Sequence, residues 1–453
     1  MAKRLFGTDG IRGTAGVPPL DPGTVTALGM ALAQDLHHQN LHHQKLTDLP
    51  VLIGMDTRES GPAIAAQLAD GLGRGGIRAD FAGVLTTPGV AYLTRTGDYS
   101  SGVMISASHN PFEDNGIKVF AHSGFKLPDE EEHEVEEAIF GILPSVKSGG
   151  VVDALAKSTN VRPYLDFLLS TLSSARPLKG LRIVMDCGNG AASALAPDLF
   201  REAGAEVTAI CNQPNGRNIN LNCGALHLEN LRTQVVDAGA HAGVAFDGDA
   251  DRAMLIAPSG RVVDGDAMML IAARRLQASG HLPGNMVVAT VMSNLGLEKA
   301  LRRLGITMLR TPVGDKYVLE EMVRREASLG GEQSGHIIFR EYSTTGDGML
   351  TALKVLETAV LADATLDELA ADLVVYPQLL VNVRVKERRP LDQLVRVTDE
   401  IHACEAELNG SGRILVRYSG TEPLLRVMVE GPEHGQVKRL VDRVTVAIHA
   451  DLG

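Results

Sequence analysis

Val51-Leu52-Ile53-Gly54-Met55-Asp56 is a short apolar run that ends on an acid; a helix-spaced stretch, Ile64–Leu72, follows before Gly76-Ile77 and Phe81. The same succession returns twice. Ile183-Val184-Met185-Asp186 leads through Leu195–Ala203 to Gly204-Ala205-Glu206-Val207. Val287-Val288-Ala289-Thr290-Val291 leads through Leu297–Leu304 to Gly305-Ile306-Thr307. Each glycine stands where a helix end needs positive φ. Strands that are apolar on both faces and separated by helices predict parallel α/β layers. The pattern points to three related α/β units, although the copies share shape more than residues.

The last ~80 residues differ, and their alternation predicts a smaller α+β domain with an antiparallel sheet. Leu380-Val381-Asn382-Val383-Arg384-Val385 and Arg413-Ile414-Leu415-Val416-Arg417 alternate, and Leu425–Glu430 follows. Boundaries are expected in Ser145–Val152, at Pro258-Ser259-Gly260 and just before Tyr376-Pro377. They give domains 1–155, 156–257, 258–374 and 375–453. At roughly 100–200 residues per domain, the chain length agrees with that division.

The net charge is −12, from 43 Lys+Arg against 55 Asp+Glu, and no basic block interrupts it. Such a chain is a poor binder of nucleic acid or anionic membrane, though a local group of arginines can still hold an anionic metabolite. The four cysteines, Cys187, Cys211, Cys223 and Cys404, show no metal-ligand spacing. They read as reduced thiols of a cytoplasmic protein. The first residues lack the apolar run of a signal peptide, and no apolar stretch approaches the ~18 residues that span a bilayer.

Five segments carry chemistry. The first is Ile105-Ser106-Ala107-Ser108-His109-Asn110-Pro111, with Asp114-Asn115-Gly116-Ile117-Lys118 after it. A strand ends in small polar residues, and Pro111 stops any helix, so Ser108 is presented on a loop. His109 and Lys118 suit a phosphoryl group there; read alone, the segment is more readily a polar turn. There is no G-x-S-x-G elbow, so a hydrolase triad is not indicated. The second is Phe246-Asp247-Gly248-Asp249-Ala250-Asp251-Arg252, three acids at alternate positions between apolar strands. Carboxylates this close repel, and a hard divalent cation is the natural compensation. An EF-hand fails, because Arg252 and Pro258 stand where Gly and Glu are needed. The third is Arg417-Tyr418-Ser419-Gly420-Thr421-Glu422-Pro423 with Arg426, which offers hydroxyls, backbone N–H groups and two guanidinium forks to an anion. The fourth is Gly331-Glu332-Gln333-Ser334-Gly335-His336, whose Glu332 and Ser334 suit sugar hydroxyls. The fifth, Phe6-Gly7-Thr8-Asp9-Gly10-Ile11-Arg12-Gly13, presents an arginine on a Gly-spaced turn. The last two are weak singly, and His109 and His336 could each be structural.

Together and in this order, the five segments resemble the α-D-phosphohexomutase superfamily from residue 4 to residue 430. Gln213–Gly224, Thr344-Thr345-Gly346-Asp347-Gly348 and Gln333 resemble its branch acting on glucosamine phosphate; relatives acting on glucose and mannose phosphates typically have Met in place of Gln333. The resemblance implies three related α/β domains with mixed sheets plus a smaller α+β C-terminal domain, around a central cleft. It implies an isomerase that moves phosphate through a phosphoserine at Ser108 and a glucosamine 1,6-bisphosphate, feeding amino-sugar nucleotide and cell-wall precursor synthesis. By resemblance, Asp247, Asp249 and Asp251 bind one Mg²⁺ per subunit, with a Ser108 phosphate oxygen as a further ligand. Arg12, Lys118 and Arg252 surround the reacting phosphate, with His109 beside it. Glu332 and Ser334 grip the sugar. Arg417, Ser419, Gly420, Thr421 and Arg426 hold the other phosphate. Lys118 and His336 are both candidates for acid or base work, and the sequence does not choose. A homodimer is implied as well. Two positions depart from the family: Tyr418 stands where Lys is usual, and Lys316 where Arg is common. The rivals are a glucose or mannose phosphomutase on the same scaffold, an aspartate-based phosphatase using Asp247, and a sugar-phosphate sensor.

Overall fold

The structure is a computed structural model that describes residues 5–7, 9–40, 48–146, 153–419 and 424–452. Among these, four sheets are formed. The first contains β1 (Phe6–Gly7), β2 (Gly10–Thr14), β3 (Val51–Met55), β4 (Ala79–Val84), β5 (Ser101–Ile105) and β6 (Asp114–Ala121), in the order β1-β2-β6-β5-β3-β4. The second contains β7 (Arg182–Asp186), β8 (Glu206–Ile210), β9 (Ala242–Phe246), β10 (Ala253–Ile256) and β11 (Val262–Val263), in the order β11-β10-β9-β7-β8. The third contains β12 (Met286–Thr290), β13 (Thr307–Thr311), β14 (Leu329–Gly331) and β15 (Ile337–Phe339), in the order β13-β12-β14-β15.

One four-strand core recurs in all three. Its spatial order is second, first, third, fourth: β4-β3-β5-β6, then β8-β7-β9-β10, then β13-β12-β14-β15. In each copy the first and third strands run parallel and the fourth turns back antiparallel to the third. The threefold repeat seen in the sequence is therefore a repeat of topology, and each sheet is mixed because the fourth strand closes a hairpin. Helices such as Pro22–Asn40 and Gly61–Arg74 bury their apolar faces against the first sheet, where Ile53, Leu68, Leu72, Val103, Ile105 and Ile117 meet. Such burial is the main stabilising term of these layers.

The described residues fall into two compact units, Met1–Met292 with Met308–Ala370, and Ser293–Thr307 with Ala371–Gly453. The second unit holds the fourth sheet, β16 (Gln378–Arg384), β17 (Arg413–Tyr418) and β18 (Leu424–Glu430), antiparallel in the order β16-β18-β17. Helices Val395–Leu408 and His434–Leu452 join its core through Val397, Leu408, Leu440, Val444 and Ile448. This is the expected smaller α+β domain. No helix among the described residues is long and apolar enough to cross a membrane.

Asp347 caps the helix Gly348–Leu361, accepting the Leu350 N–H at 2.9 Å and the Tyr164 hydroxyl at 2.8 Å. Burial is the largest influence on its carboxyl and lifts it from 3.8 to about 6. The folded chain thus binds this proton more tightly than the unfolded one. The resulting stability is complete below the unfolded value and is lost as pH rises through the folded one. Between about pH 4 and pH 6, it should account for a fall of about 3 kcal/mol. Asp35 is also raised to about 6, so the test is a difference. Urea unfolding of Asp347→Asn should show a shallower fall over this window than the unsubstituted chain.

Candidate functional site

The site is built on one recurrent position. The turn between third and fourth strands carries Ser108 in the first copy, Asp247–Arg252 in the second and Glu332–His336 in the third. These turns meet. A Cβ on Gly248 would lie 2.5 Å from the Ser108 carbonyl oxygen, so only glycine admits this approach. Ala253 N–H donates to Gly335 O at 3.2 Å and Gly348 N–H to Ala250 O at 3.0 Å.

Ser108 is buried and held at φ +53°, a region that costs a non-glycine residue roughly 1–2 kcal/mol. Hydrogen bonds over-determine this conformation. Ser108 N–H donates to Ser106 Oγ at 2.9 Å, and the Ser106 hydroxyl donates to Asp56 Oδ2 at 2.6 Å. Arg58, wholly buried, pairs with Asp56 at 2.9 Å and donates to the carbonyls of Ser108 and Asn110, each at 2.9 Å. Asn220 Nδ2 donates to the same carbonyls at 2.9 and 3.1 Å. The Ser108 hydroxyl emerges from this cradle to donate to Asp247 Oδ2 at 2.5 Å, and His109 Nδ1 lies 3.3 Å from it.

Asp247, Asp249 and Asp251 are all buried and offer oxygens within 4.8 Å of one another. Burial, then Asp251 and Asp249, push the Asp247 carboxyl well above the usual carboxylate range. Asp249 Oδ1 and Asp251 Oδ1 are buried without a hydrogen-bond partner. Three hard oxygen donors, two with orphaned atoms, fit a small divalent cation such as Mg²⁺ that completes its shell with water or phosphate. The positive side of the site is equally dense. Lys118 Nζ lies 2.9 Å from Asp249, 3.1 Å from Asp9 and 3.3 Å from Asp251. Burial opposes its charge, but Asp249, Asp9 and Asp251 outweigh burial and hold the ammonium well above its ordinary pKa. Arg12 and Arg252 each keep a buried Nε without a hydrogen-bond partner, that of Arg252 lying 3.8 Å from Asp251. Burial, then Arg252 and Arg12, lower His109 to about 4, so this imidazole is neutral at pH 7.

His336 faces Asp251 through Nδ1 and Asp315 through Nε2, both at 3.6 Å. Burial disfavours its charge, yet the two acids shift it upward. Gly346 N–H donates to Nε2 at 3.0 Å, so that nitrogen keeps its lone pair and the ring proton sits on Nδ1, toward Asp251. A Cβ on Gly346 would lie 2.5 Å from the ring, which is why glycine stands there. Glu332 accepts the Gly314 N–H at 3.2 Å and the Ser334 hydroxyl at 3.3 Å, so the structure brings these two residues together.

In the second unit, Arg417 and Arg426 are direct partners across β17 and β18. Like charges in that register are unfavourable without an anion, and burial, then Arg426, lower the Arg417 pKa. Arg426 lies 3.4 Å from Ser419 Oγ. Gly420 and Thr421 lie outside the described residues. Tyr418, the departure from a family lysine, donates to Arg389 O at 2.7 Å. Arg388 lies 6.0 Å from its ring centroid and donates to Ser419 O at 2.7 Å. Arg388, on the segment after β16, thus brings a cation beside Ser419. Lys316 is ion-paired with Asp129.

Sequence reasoning missed Asp56, Arg58, Thr87, Lys126 and Asp315. Thr87 donates to Asp249 Oδ2 at 2.5 Å. Lys126 bridges Asp9 and Asp315, each at 2.5 Å, tying the first copy to the third. Only Asp56-Thr57-Arg58, a charged pair just after an apolar strand, left a local trace.

Four family models match in succession. Their descriptions are phosphoglucomutase/phosphomannomutase alpha/beta/alpha domain I (3–144), domain II (162–260), domain III (264–376) and C-terminal domain (380–447). The chain belongs to this family. It is 58% identical over 453 residues, all of both chains, to the phosphoglucosamine mutase of Solibacter usitatus. A phosphoglucomutase/phosphomannomutase family protein from Burkholderia thailandensis shares the fold with TM-score 0.79 at 23% identity, over 98% of this chain and 97% of that one. The N-acetylphosphoglucosamine mutase of Aspergillus fumigatus, solved with GlcNAc-6P and magnesium, shares it with TM-score 0.64 at 18% identity, over 99% and 96% of the two chains.

Breaking the Asp56–Arg58 pair leaves a buried, uncompensated carboxylate under the serine turn. Arg58→Ala should lower the unfolding free energy by about 3–5 kcal/mol in urea titration. Arg58→Lys should recover only part of this, since an ammonium cannot reproduce the fork. A loss below about 1 kcal/mol for the alanine variant would remove Arg58 from this role.

Proposed function

We propose that this chain interconverts glucosamine 6-phosphate and glucosamine 1-phosphate, with Ser108 as the phosphoryl carrier. The observation that carries the reading is the Ser108 hydroxyl, 2.5 Å from Asp247, beside two arginines with spare buried donors. The amino sugar is supported by the phosphoglucosamine mutases to which the chain is 58% and 48% identical over its full length.

Phosphoryl transfer asks for in-line positioning and neutralised oxygens more than for covalent ingenuity. The strained turn positions Oγ before substrate arrives. Arg12 and Arg252 would turn N–H groups that lack a hydrogen-bond acceptor to the phosphoryl oxygens, and Lys118 adds a charge that its acidic neighbours keep fixed. Asp247, Asp249 and Asp251 would hold Mg²⁺, which when bound withdraws charge from those oxygens. The phosphoryl group passes from Ser108 to O1 of the 6-phosphate, the P–Oγ bond breaking as the P–O1 bond forms. The 1,6-bisphosphate then turns over, and its 6-phosphoryl returns to Oγ. Each transfer moves one proton between a sugar hydroxyl and the protein. His109 Nδ1, 3.3 Å from Oγ and neutral, is placed to hold a proton at the serine. His336, between Asp251 and Asp315, would hold one on the sugar side, and Lys118 would serve as a fixed charge. Glu332 and Ser334 would receive sugar hydroxyls; in the smaller unit, Arg417, Ser419 and Arg426 would bind a phosphate.

A coupled assay comparing glucosamine, glucose and mannose 6-phosphates tests the substrate. The glucosamine compound should show a kcat/KM at least about tenfold above the others. Faster turnover of glucose or mannose phosphate would overturn the assignment. Chelation of divalent metal should abolish turnover with all three, and added Mg²⁺ should restore it.

A further inference from the structure

We propose that Asp186, Cys211 and Cys223 form a second metal site, one suited to a thiophilic divalent cation such as Zn²⁺. The three residues come from separate stretches. Asp186 ends β7, Cys211 follows β8, the strand beside it, and Cys223 precedes Gly224 on the long return segment. Each offers one ligand atom within 4.8 Å of the other two. Two sulfurs and a carboxylate oxygen around tetrahedral Zn²⁺ sit about 3.5–3.8 Å apart, so small side-chain adjustments would close the set, with water as fourth ligand. Thiolates select against the hard cation of the aspartate triad.

A second observation points to a cation independently of this proximity. Asp186 is completely buried; Gly188 N–H donates to its Oδ1 at 2.9 Å, while Oδ2 makes no geometrically sound hydrogen bond within the protein. The Gly224 N–H and the Cys211 thiol also bear on its carboxyl. No Lys, Arg or His among the described residues pairs with it. The repeat shows how unusual that is. Met55-Asp56 in the first copy corresponds to Met185-Asp186 in the second, and Asp56 is neutralised by buried Arg58. Two residues after Asp186 stands Gly188, which brings no charge. A bound cation deprotonates the thiols that ligate it. A carboxylate is a metal ligand and has no part in a disulfide, so the trio fits a metal better than a redox pair. Cys211 is partly exposed, which gives an ion a way in. Asn189 Nδ2, 3.7 Å from Cys223 Sγ, supplies an outer hydrogen bond to the sulfur.

The site has a consequence for the serine turn. The segment between Cys211 and Cys223 carries Asn220, whose amide holds the Ser108 and Asn110 carbonyls. A cation fastening both ends of that segment would brace the support of Ser108 without touching the reacting atoms.

Cobalt reports the ligands directly. Reduced, metal-stripped full-length protein, titrated with Co²⁺ in excess Mg²⁺, should develop a thiolate-to-cobalt charge-transfer band that saturates near one equivalent and disappears on adding Zn²⁺. An all-oxygen site gives no such band. Cys211→Ser and Cys223→Ser should lose it, and Cys404→Ala should keep it. Absence of the band in the reduced unsubstituted chain, which needs no variant to fold, would overturn the proposal. So would its survival in both serine variants, or recovery of Cys211 and Cys223 as a disulfide in protein that takes up no Co²⁺ after reduction.

Discussion

Asp247, Asp249 and Asp251 crowd one buried turn, and their mutual repulsion has to be met by positive charge. At these separations inside a protein, the repulsion is worth several kcal/mol unless it is compensated. Much of the surrounding structure answers it. Lys118 contacts two of the three acids, Thr87 donates to Asp249, and His336 turns its protonated nitrogen to Asp251. Lys118 and Lys126 in turn share Asp9, and Lys126 reaches Asp315. The result is an alternating chain of charges running through all three α/β copies. Each member is held by the next, so the oxygens facing Ser108 stay in place with little freedom to relax. Pre-set charge of this kind is what a transferring phosphoryl group requires.

The threefold repeat explains how one chain assembles such a centre. Each copy offers the same hairpin, between a parallel third strand and an antiparallel fourth, and the three hairpins have taken different tasks. One carries the hydroxyl, one the acids and one the paired Glu332 and Ser334. The strand ends behind them diverged in parallel. Asp56 acquired Arg58 and became the anchor of the serine turn. Its counterpart Asp186 lies beside two thiols instead.

Features carried by neighbouring residues were readable from the sequence. The alternate spacing of the three acids, the polar turn at Ser108 and the strand–helix–glycine succession are local patterns, and the fold class followed from them. Contacts set by topology were not readable. Asp56 meets Ser106 fifty residues on, and Lys126 meets Asp315 across 189. No local pattern encodes such pairs. The cysteines show the same limit: Cys211 and Cys223 lack metal-ligand spacing, yet a strand end and the return segment after it bring them to one carboxylate. Tyr418 looked like a lost cation, whereas the fold places Arg388 beside the same loop. The sequence also left Lys118 and His336 equal as proton carriers. Three carboxylates brace the Lys118 ammonium, a contact set that the sequence does not show.

The claim on which the account rests is that the Ser108 oxygen itself carries the phosphoryl group. Peptide mass mapping after incubation with glucosamine 1,6-bisphosphate and Mg²⁺ examines it directly. The account predicts one phosphate on the peptide containing Ser108, lost again when glucosamine 6-phosphate is added, with bisphosphate appearing in equal amount. Phosphate found on Asp247, or an unmodified Ser108 in protein that is turning substrate over, would contradict it.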